Sequence, residues 1–280
     1  MYNMPLMAGV PDVGRCRQTN EDAFHIDAER GLMVVADGMG GHQGGEVASR
    51  IVAEALPVQI ANTVWGNVPT VESAGEALCR SIRAISELLR EEGERHALLN
   101  GMGSTVVVAL FVRRSLVVAH IGDSRAYLFR DGTLSCLTQD HNVAAIMYQA
   151  GLLDTAERSA HSGRFALSQY VGMRTDISPA ADWFPIRPLD RILLCTDGLT
   201  EMLSDEDITD SLSADCIHHV CRELVQKAND AGGRDNITVA VAEVPPRGIS
   251  SASGAPQVAW QPFDIRMEPV ERQSNTASRP

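Results

Sequence analysis

The first half of the chain alternates between short β-rich runs and stretches whose apolar residues recur at helical spacing. Residues 22–37 indicate a β-hairpin, because two β-rich runs flank the turn sequence Glu29-Arg30-Gly31. Helical spacing predicts helices over residues 45–60 and 70–99. Three or four apolar runs within residues 104–138 are separated by polar turn pairs, which predicts an antiparallel meander.

The second half is less periodic at first and then regular again. A short helix is predicted near 141–151, followed by an exposed loop over the polar sequence of residues 154–163. A buried strand over 191–199, a helix over 214–233 and a last strand over 236–244 complete the pattern. Because strands and helices do not alternate strictly, the pattern favours an α+β fold, with antiparallel sheets flanked by helical hairpins, over a doubly wound parallel sheet.

Composition narrows the class of protein. The chain has 280 residues, 44% of them hydrophobic, and a formal net charge of −12, which argues against binding to nucleic acid or to an anionic membrane. The six cysteines are scattered without a C-x-x-C pair, so neither a zinc framework nor a disulfide scaffold is indicated. No apolar run approaches the roughly 18 residues of a membrane span, and the N-terminus lacks a signal-peptide pattern. We therefore expect a cytoplasmic protein.

The composition changes near Pro245. Six of the 13 prolines lie in the last 36 residues, mixed with Ser, Gly and Gln. We expect residues 1–244 to form one catalytic domain and residues 245–280 to be a flexible, Pro/Ser-rich tail.

Candidate chemistry lies at the ends of the apolar runs. Asp37, Asp123 and Asp197 each end such a run, and Asp235 lies just before the last one. Carboxylates gathered at the rim of a core would repel one another, and a hard divalent cation such as Mg²⁺ or Mn²⁺ would remove that penalty. Spacing alone leaves their convergence open, because Asp131-Gly132 repeats the Asp-Gly pattern at what we interpret as a plain hairpin turn.

The glycines that follow Asp37 do not fit the common phosphate-loop motifs. Counted from Gly38, the last glycine of a G-x-G-x-x-G fingerprint would fall on Gln43, and no lysine is present for a P-loop. A nucleotide-binding switch is therefore disfavoured. His42 has no His-x-x-x-His partner, which makes it a poor candidate for zinc.

Seven motifs in order resemble the metal-dependent protein serine/threonine phosphatases of the type 2C family, in their compact bacterial form. The resemblance covers roughly residues 8–243. The motifs are RQTNEDA, VVADGMGGHQGGEVAS, GSTVVVAL, AHIGDSRAYL, LTQDH, LLCTDGLTEML and GGRDNITVAV.

The resemblance implies a four-layer α-β-β-α sandwich with two central antiparallel sheets. It also implies two Mn²⁺ or Mg²⁺ ions bridged by Asp37. The backbone carbonyl of Gly38 would bind one ion, while Asp197 and Asp235 would bind the other. Asp22, with Glu21 as a second candidate, would act through metal-bound waters.

The same resemblance implies that Asp123 and Asp197 hold a third, weaker ion and that Arg17 grips the substrate phosphate. Two divalent ions would reverse the charge of an acidic pocket and lower the pKa of a bridging water, so that a phosphoserine dianion could bind and be hydrolysed. The expected partners are phosphorylated proteins, including a serine/threonine kinase and its substrates, and the expected state is a monomer. The alternative is a catalytically silent phosphoprotein-binding regulator of the same fold.

Two stretches depart from the family pattern. Met39 occupies the position where many relatives carry a histidine that protonates the leaving group, and His42 follows three residues later. His42 is either that general acid or a loop or helix-cap residue, in which case a metal-bound water would supply the proton. Within the flap expected over about 140–172, Gln169 replaces an arginine, which bears on substrate preference.

These departures generate the first prediction. If His42 protonates the leaving serine, His42→Ala will strongly impair hydrolysis of a phosphoserine peptide and largely spare p-nitrophenyl phosphate, because an aryl leaving group does not need the proton. Steady-state rates on both substrates test this. Equal losses on the two substrates would exclude the role.

Overall fold

The structure is a computed structural model that describes residues 4–40, 44–64, 70–214 and 216–246. Its strands are β1 (Leu6–Asp12), β2 (Asp22–Asp27), β3 (Leu32–Met39), β4 (Gly103–Ser104), β5 (Val106–Val112), β6 (Ser115–Ile121), β7 (Arg125–Arg130), β8 (Thr133–Cys136), β9 (Ala180–Pro185), β10 (Arg191–Cys195) and β11 (Ile237–Glu243). Its α-helices are α1 (Gly44–Val64), α2 (Val71–Arg95), α3 (Val143–Gln149), α4 (Thr155–Ala160), α5 (Asp197–Thr200), α6 (Asp205–Leu212) and α7 (Ile217–Asp230).

The strands form two antiparallel sheets. The first has the order β1-β11-β10-β7-β8, and the second has the order β2-β3-β5-β6-β9 with β4 paired to β3. In the first sheet the earliest strand lies beside the last one, with Asp12 opposite Ile237 and Leu6 opposite Glu243. This pairing brings the β1–β2 connection next to the α7–β11 connection.

Three apolar layers hold the sandwich together. Neighbouring residues of one strand serve different layers: Val34 packs against α1 and α2, whereas Met33 packs between the sheets. In the same way Val239 packs under α7, whereas Ala240 packs between the sheets. Both faces of the central strands are thus buried, which explains why β3 begins with an unbroken apolar run instead of an alternating one.

Helices cover the outer faces. The long pair α1 and α2 covers the second sheet, while α6 and α7, with the short α5, cover the first. The predicted α+β class, the four layers and the two antiparallel sheets are therefore confirmed.

One predicted loop is wrong. Residues 154–163 were expected to be irregular, but they contain α4 and the start of a 3₁₀ helix over Ser162–Phe165. A reciprocal capping box starts α4: the Glu157 amide donates to Asp154 at 2.8 Å, and the Glu157 carboxylate accepts from the Asp154 amide at 2.8 Å. Such local hydrogen bonds stabilise a helix start that has no buried face. The predicted helix just before it is confirmed as α3.

The strand predicted over 191–199 is too long, because β10 ends at Cys195 and α5 begins at Asp197. Strands β1 and β9 and helix α6 lie outside the predictions. Strands β1 and β9 are edge strands, and β1 contains Gly9 and Pro11, which weaken any local strand signal. Helix α6 begins at a capping box between Ser204 and Asp207. Pairing with a neighbouring strand, which single-sequence patterns do not report, determines both edge strands.

The Asp131-Gly132 pair is a hairpin turn, as interpreted from the sequence. It joins β7 to β8, and Arg130 pairs opposite Thr133. Asp131 and Gly132 have φ angles of 51° and 77°, the left-handed conformation that a two-residue hairpin turn requires at both positions.

An ion pair with one buried partner, Asp190, links the two sheets at the end of the sandwich opposite Asp37. Arg130 of β7 donates to both carboxylate oxygens of Asp190, at 2.8 and 2.6 Å, and to the Pro185 carbonyl at the end of β9. Asp190 is 1% exposed and also accepts from the Arg187 amide at 2.6 Å.

Removal of this carboxylate should destabilise the protein. Asp190→Ala should lower the free energy of unfolding by about 2 kcal/mol, because the Arg130 guanidinium and the Arg187 amide lose a charged hydrogen-bond partner. Urea unfolding measures the change. The matched control is Glu76→Ala, which removes an exposed ion pair with Arg80 and should leave stability nearly unchanged. Equal effects of the two variants would contradict the assignment.

Candidate active site

Four aspartates line one pocket at the end of the sandwich where strands of both sheets meet. Asp37 lies in β3, Asp123 in the β6–β7 turn, Asp197 at the start of α5, and Asp235 just before β11. The pocket is lined by Cys16, Arg17, Gln18, Thr19, Glu21, Asp37, Gly38, Met39, Gly40, Thr105, Asp123, Phe165, Leu167, Asp197, Asp235 and Asn236. Four distant parts of the sequence thus supply one acidic surface.

The backbone of Asp37 is fixed on both sides. Its amide donates to the Thr105 hydroxyl at 3.0 Å, and its carbonyl accepts from the Thr105 amide at 2.8 Å and the Ser104 hydroxyl at 2.9 Å. The expectation that the strand ends at Asp37 is wrong, because β3 continues to Met39 and pairs with β4. Asp37 is therefore an internal strand residue held rigidly at the pocket.

Gly38 lies where no side chain fits. A Cβ atom at this position would overlap the carbonyl oxygens of Gly45 and Glu21, and the Gly38 amide donates to the Glu21 carbonyl at 3.0 Å. Glycine thus lets three backbone segments approach one another directly beside Asp37.

Burial and mutual repulsion raise the pKa of several carboxyl groups in this cluster. Burial, then the charges of Asp22 and Asp197, raises the pKa of Asp37 well above its ordinary value. Burial followed by the charge of Asp197 raises the pKa of Asp123 to about 8, and burial raises that of Asp22 to about 7. The pKa of Asp197 is raised by burial and by Asp235. Among the described residues, the nearby charges of Arg17 and Arg125 do not offset this repulsion.

The donor set fits a hard divalent cation. The Oδ1 atoms of Asp22 and Asp197 are buried and have no hydrogen-bond partner within the described part of the chain. Among those residues, no three Asp, Glu, His or Cys side chains are arranged to enclose an ion by themselves. Mg²⁺ keeps several waters and takes only one or two carboxylates, so such an open, oxygen-rich arrangement suits it.

Asp22 lies behind the pocket, opposite Asp37 in the β2–β3 pairing. Its Oδ2 accepts a hydrogen bond from the Thr196 hydroxyl at 2.9 Å, and that hydroxyl also accepts from the Thr238 amide at 3.0 Å. Thr196 thus links Asp22 of the second sheet to β11 of the first. No sequence pattern singles out this threonine, although its position directly before Asp197 is a usable signal.

Arg17 lies on the β1–β2 connection at the rim of the pocket. Its side chain is 51% exposed and its Nη2 donates to Asp235 Oδ2 at 2.6 Å. Burial works against the charged form, but the hydrogen bond and charge of Asp235 leave the pKa of Arg17 raised. A permanently charged guanidinium thus stands at the mouth of an otherwise acidic pocket.

Two contacts to residues 140 and 141 hold the turn that contains Asp123, and no sequence pattern indicates either of them. Arg125 donates to both carboxylate oxygens of Asp140, at 2.8 and 2.7 Å. The His141 amide donates to the Gly122 carbonyl at 2.9 Å. The turn and the first residues of the 140–172 segment therefore hold each other in place.

The 140–172 segment reaches the pocket through Phe165 and Leu167. Gln169, which departs from the family pattern, accepts a hydrogen bond from the Ser178 amide at 2.8 Å. This bond connects the segment to the residues that follow it in the chain. His42 lies outside the described residues, as does the sequence from 247 onwards, so the interpretations of both remain predictions.

An acidic, oxygen-rich pocket with an arginine at its rim can hold a hard divalent cation beside a group that binds phosphate. The family model of protein phosphatase 2C matches residues 15–231. The chain therefore belongs to the protein phosphatase 2C family, and the predicted enzyme class, a protein phosphatase, is confirmed.

Characterised relatives agree. The serine/threonine phosphatase stp of Listeria welshimeri is 32% identical over 239 residues, which is 83% of this chain and 93% of the relative. The structure of Stp1 from Staphylococcus aureus has a TM-score of 0.79 at 29% identity, over 88% of this chain and 97% of that one. The catalytic domain of PstP in complex with two manganese ions has a TM-score of 0.73 at 32% identity, over 87% of this chain and 99% of that one.

These comparisons place the chain among bacterial serine/threonine phosphatases of the type 2C family, which use divalent metal ions. As for membranes, none of the helices in the described ranges is both long and apolar enough to span one.

The raised carboxyl pKa values predict an unusual pH dependence of stability. A carboxyl whose pKa is raised on folding keeps a proton that the unfolded chain has lost, so its stabilising contribution disappears as pH rises through the folded pKa. In EDTA, the melting temperature should fall between about pH 6.5 and pH 8, where the unfolded chain has already lost the protons that folded Asp22 and Asp123 still keep, and it should level off once these carboxyls have ionised. The lowered pKa values of His120 and His141 make stability rise with pH instead, but only up to the ordinary imidazole pKa of about 6.5, where the unfolded histidines lose their protons.

Thermal melts across this range test the prediction. Saturating Mn²⁺ should abolish the fall, because the ion binds the ionised carboxylates. Asp123→Asn should reduce the fall in EDTA. A melting temperature independent of pH in the metal-free wild type would contradict the shifted values.

Proposed function

We propose that this protein hydrolyses phosphoserine and phosphothreonine in proteins at a binuclear Mn²⁺ or Mg²⁺ site and thereby reverses a bacterial serine/threonine kinase. One observation carries the proposal. Asp37, Asp123, Asp197 and Asp235 line one pocket, and Arg17 stands at its mouth.

The proposed metal ligands follow from the donor set. Asp37 would be shared between two ions, the Gly38 carbonyl would complete one of them, and Asp197 and Asp235 would hold the other. Asp22, with its buried Oδ1, would act through water.

A third and weaker ion would lie between Asp123 and Asp197, both of which line the pocket. When bound, the ions supply positive charge that offsets the carboxylates and lowers the pKa of a bound water, which is the nucleophile that phosphate-ester hydrolysis requires.

Arg17 would bind the phosphate group of the substrate. A planar guanidinium can donate to two phosphate oxygens at once. In the structure it pairs with Asp235, and its side chain is 51% exposed, so it is accessible to a ligand that enters from the rim. When Asp235 binds a metal ion, the Arg17 guanidinium can pair with the incoming phosphate as a second anion.

The leaving alkoxide needs a proton. Met39 lines the pocket at the position where a histidine would stand in many relatives, and its thioether carries no transferable proton. We assign this role to His42, the histidine nearest in sequence. The rates of His42→Ala on a phosphoserine peptide and on p-nitrophenyl phosphate test the assignment.

The setting is proposed on composition and on the relatives. Phosphorylated proteins, including a kinase and its substrates, are the expected partners. The six cysteines are unpaired thiols, which supports a reducing compartment such as the cytoplasm. We propose that residues 1–244 act as a monomeric catalytic domain and that residues 245–280 are a flexible tail.

Metal-dependent release of phosphate tests the function. The protein should dephosphorylate a phosphothreonine peptide in Mn²⁺ and lose this activity in EDTA. Asp37→Asn should lower kcat by at least about a hundredfold, because it removes the charge proposed to bridge two ions. Asp131→Asn is the matched control, since it alters the same Asp-Gly dipeptide at a hairpin turn and should leave activity unchanged.

Two outcomes would contradict the proposal. Undiminished activity of Asp37→Asn would refute the metal assignment. Absence of phosphate release from any phosphoserine or phosphothreonine peptide, with Mn²⁺ bound, would favour the silent phosphoprotein-binding regulator.

A further inference from the structure

The loop that carries Arg17 has no regular structure of its own. It runs over residues 13–21 between β1 and β2, and neither helix nor strand is formed within it. A guanidinium on such a loop can bind phosphate in a defined geometry only if other parts of the protein hold the loop in place. The residues that hold it are therefore candidates for setting the phosphate affinity.

One buried side chain holds the loop on both sides of Arg17. The Asn236 Nδ2 donates to the Val13 carbonyl and to the Thr19 carbonyl, both at 2.9 Å. Its Oδ1 accepts from the Glu21 amide at 2.8 Å. The residue is 4% exposed, so these three hydrogen bonds are shielded from water.

The side-chain amide of Asn236 is suited to making all three of these hydrogen bonds. Asparagine has two N–H donors and a carbonyl acceptor, and here both donors and the acceptor are used on backbone groups of a single loop. Aspartate would present an oxygen to two carbonyls, and a hydroxyl is too short to reach all three groups. No other side chain among the described residues is recorded with three hydrogen bonds to this loop.

Other contacts to the loop do not depend on the Asn236 side chain. The Gly233 carbonyl accepts from the amides of Arg15 and Cys16, at 2.7 and 3.2 Å. Asn229 Nδ2 donates to Asp12 at 3.0 Å, at the root of the loop. These contacts lie before Arg17, whereas Asn236 also fixes the stretch after it.

We propose that Asn236 is a positioning residue for Arg17 and sets the affinity of the site for the phosphate group. This inference rests on the proposed function in that it takes Arg17 to bind phosphate. Asn236 lines the pocket, but both of its side-chain donors and its acceptor are engaged by backbone groups of the loop, so it acts on a bound phosphate through Arg17. Its own amide donates to Asp235 Oδ1 at 2.8 Å, a backbone contact that a side-chain substitution retains.

A double-mutant cycle tests the inference. Asn236→Ala should raise the KM for a phosphothreonine peptide about fivefold to tenfold and leave kcat within about twofold, because the loop loses three hydrogen bonds while the metal ligands stay in place. Arg17→Ala/Asn236→Ala should have the same KM as Arg17→Ala, since a positioning residue has no effect once the residue it positions is gone. Asn229→Ala is the matched control: it loses a buried amide at the root of the same loop and should keep the wild-type KM.

Two readouts are independent of turnover. The affinity of the Mn²⁺-loaded protein for inorganic phosphate, measured by calorimetry, should fall by the same factor in Asn236→Ala, while its affinity for Mn²⁺ stays unchanged. Amide hydrogen exchange of residues 15–21 should be faster in Asn236→Ala than in Asn229→Ala. Asn236→Ser replaces Asn236→Ala in every comparison if the latter does not fold.

Three results would overturn the inference: KM effects of Arg17→Ala and Asn236→Ala that multiply, an unchanged phosphate affinity in Asn236→Ala, or a loss of Mn²⁺ affinity that matches the loss of phosphate affinity. Failure of the proposed function has a different signature. A wild-type protein that binds phosphate without hydrolysing any phosphopeptide would refute the phosphatase proposal, while the phosphate-affinity comparison would still decide the role of Asn236.

Discussion

The mutual repulsion of carboxylates at one end of the sandwich is the constraint on which the rest of the structure depends. Acids that are close together and partly withdrawn from water bind either protons or a cation. The raised pKa values of Asp37 and Asp123 show that, without a cation, these acids retain protons more strongly than exposed carboxyls do. A protein can sustain such a cluster only if its framework is stiff enough to prevent the acids from separating. The binding of metal ions then relieves a strain that folding has already imposed.

The two-sheet architecture supplies the stiffness. Asp37 belongs to the second sheet and Asp197 follows a strand of the first, so the acids approach one another only because the sheets pack face to face. Short polar links cross the gap between sheets, such as that from Thr196 to Asp22. Each acid thus lies on a different element of the fold. The packing of those elements in the core determines the geometry of the pocket.

Sequence patterns predicted those parts whose cause is local. β3 and β10 are central strands with apolar runs, and Asp37 and Asp197, the acids at the ends of those runs, are visible in the sequence. β1 and β9 escaped prediction because pairing with β11 and β6, and not their own composition, makes them strands. For the same reason the pattern could identify Asp37 as a candidate but could not show that Asp235 lies in the same pocket. Thr196 and the Arg125–Asp140 pair were missed because a supporting hydrogen bond has no periodicity.

The pairing of β1 with β11 has a consequence for how this enzyme comes into being. Arg17 and Asp235 are 218 residues apart in sequence, and the loop around Arg17 takes its shape from Gly233 and Asn236. While β11 is still inside the ribosomal exit tunnel, β1 has no partner strand. The Arg17 loop then lacks its contacts to Gly233 and Asn236, and Asp235 is absent from the pocket. If Arg17 and Asp235 serve the site as proposed, phosphatase activity begins only when β11 has emerged and paired with β1.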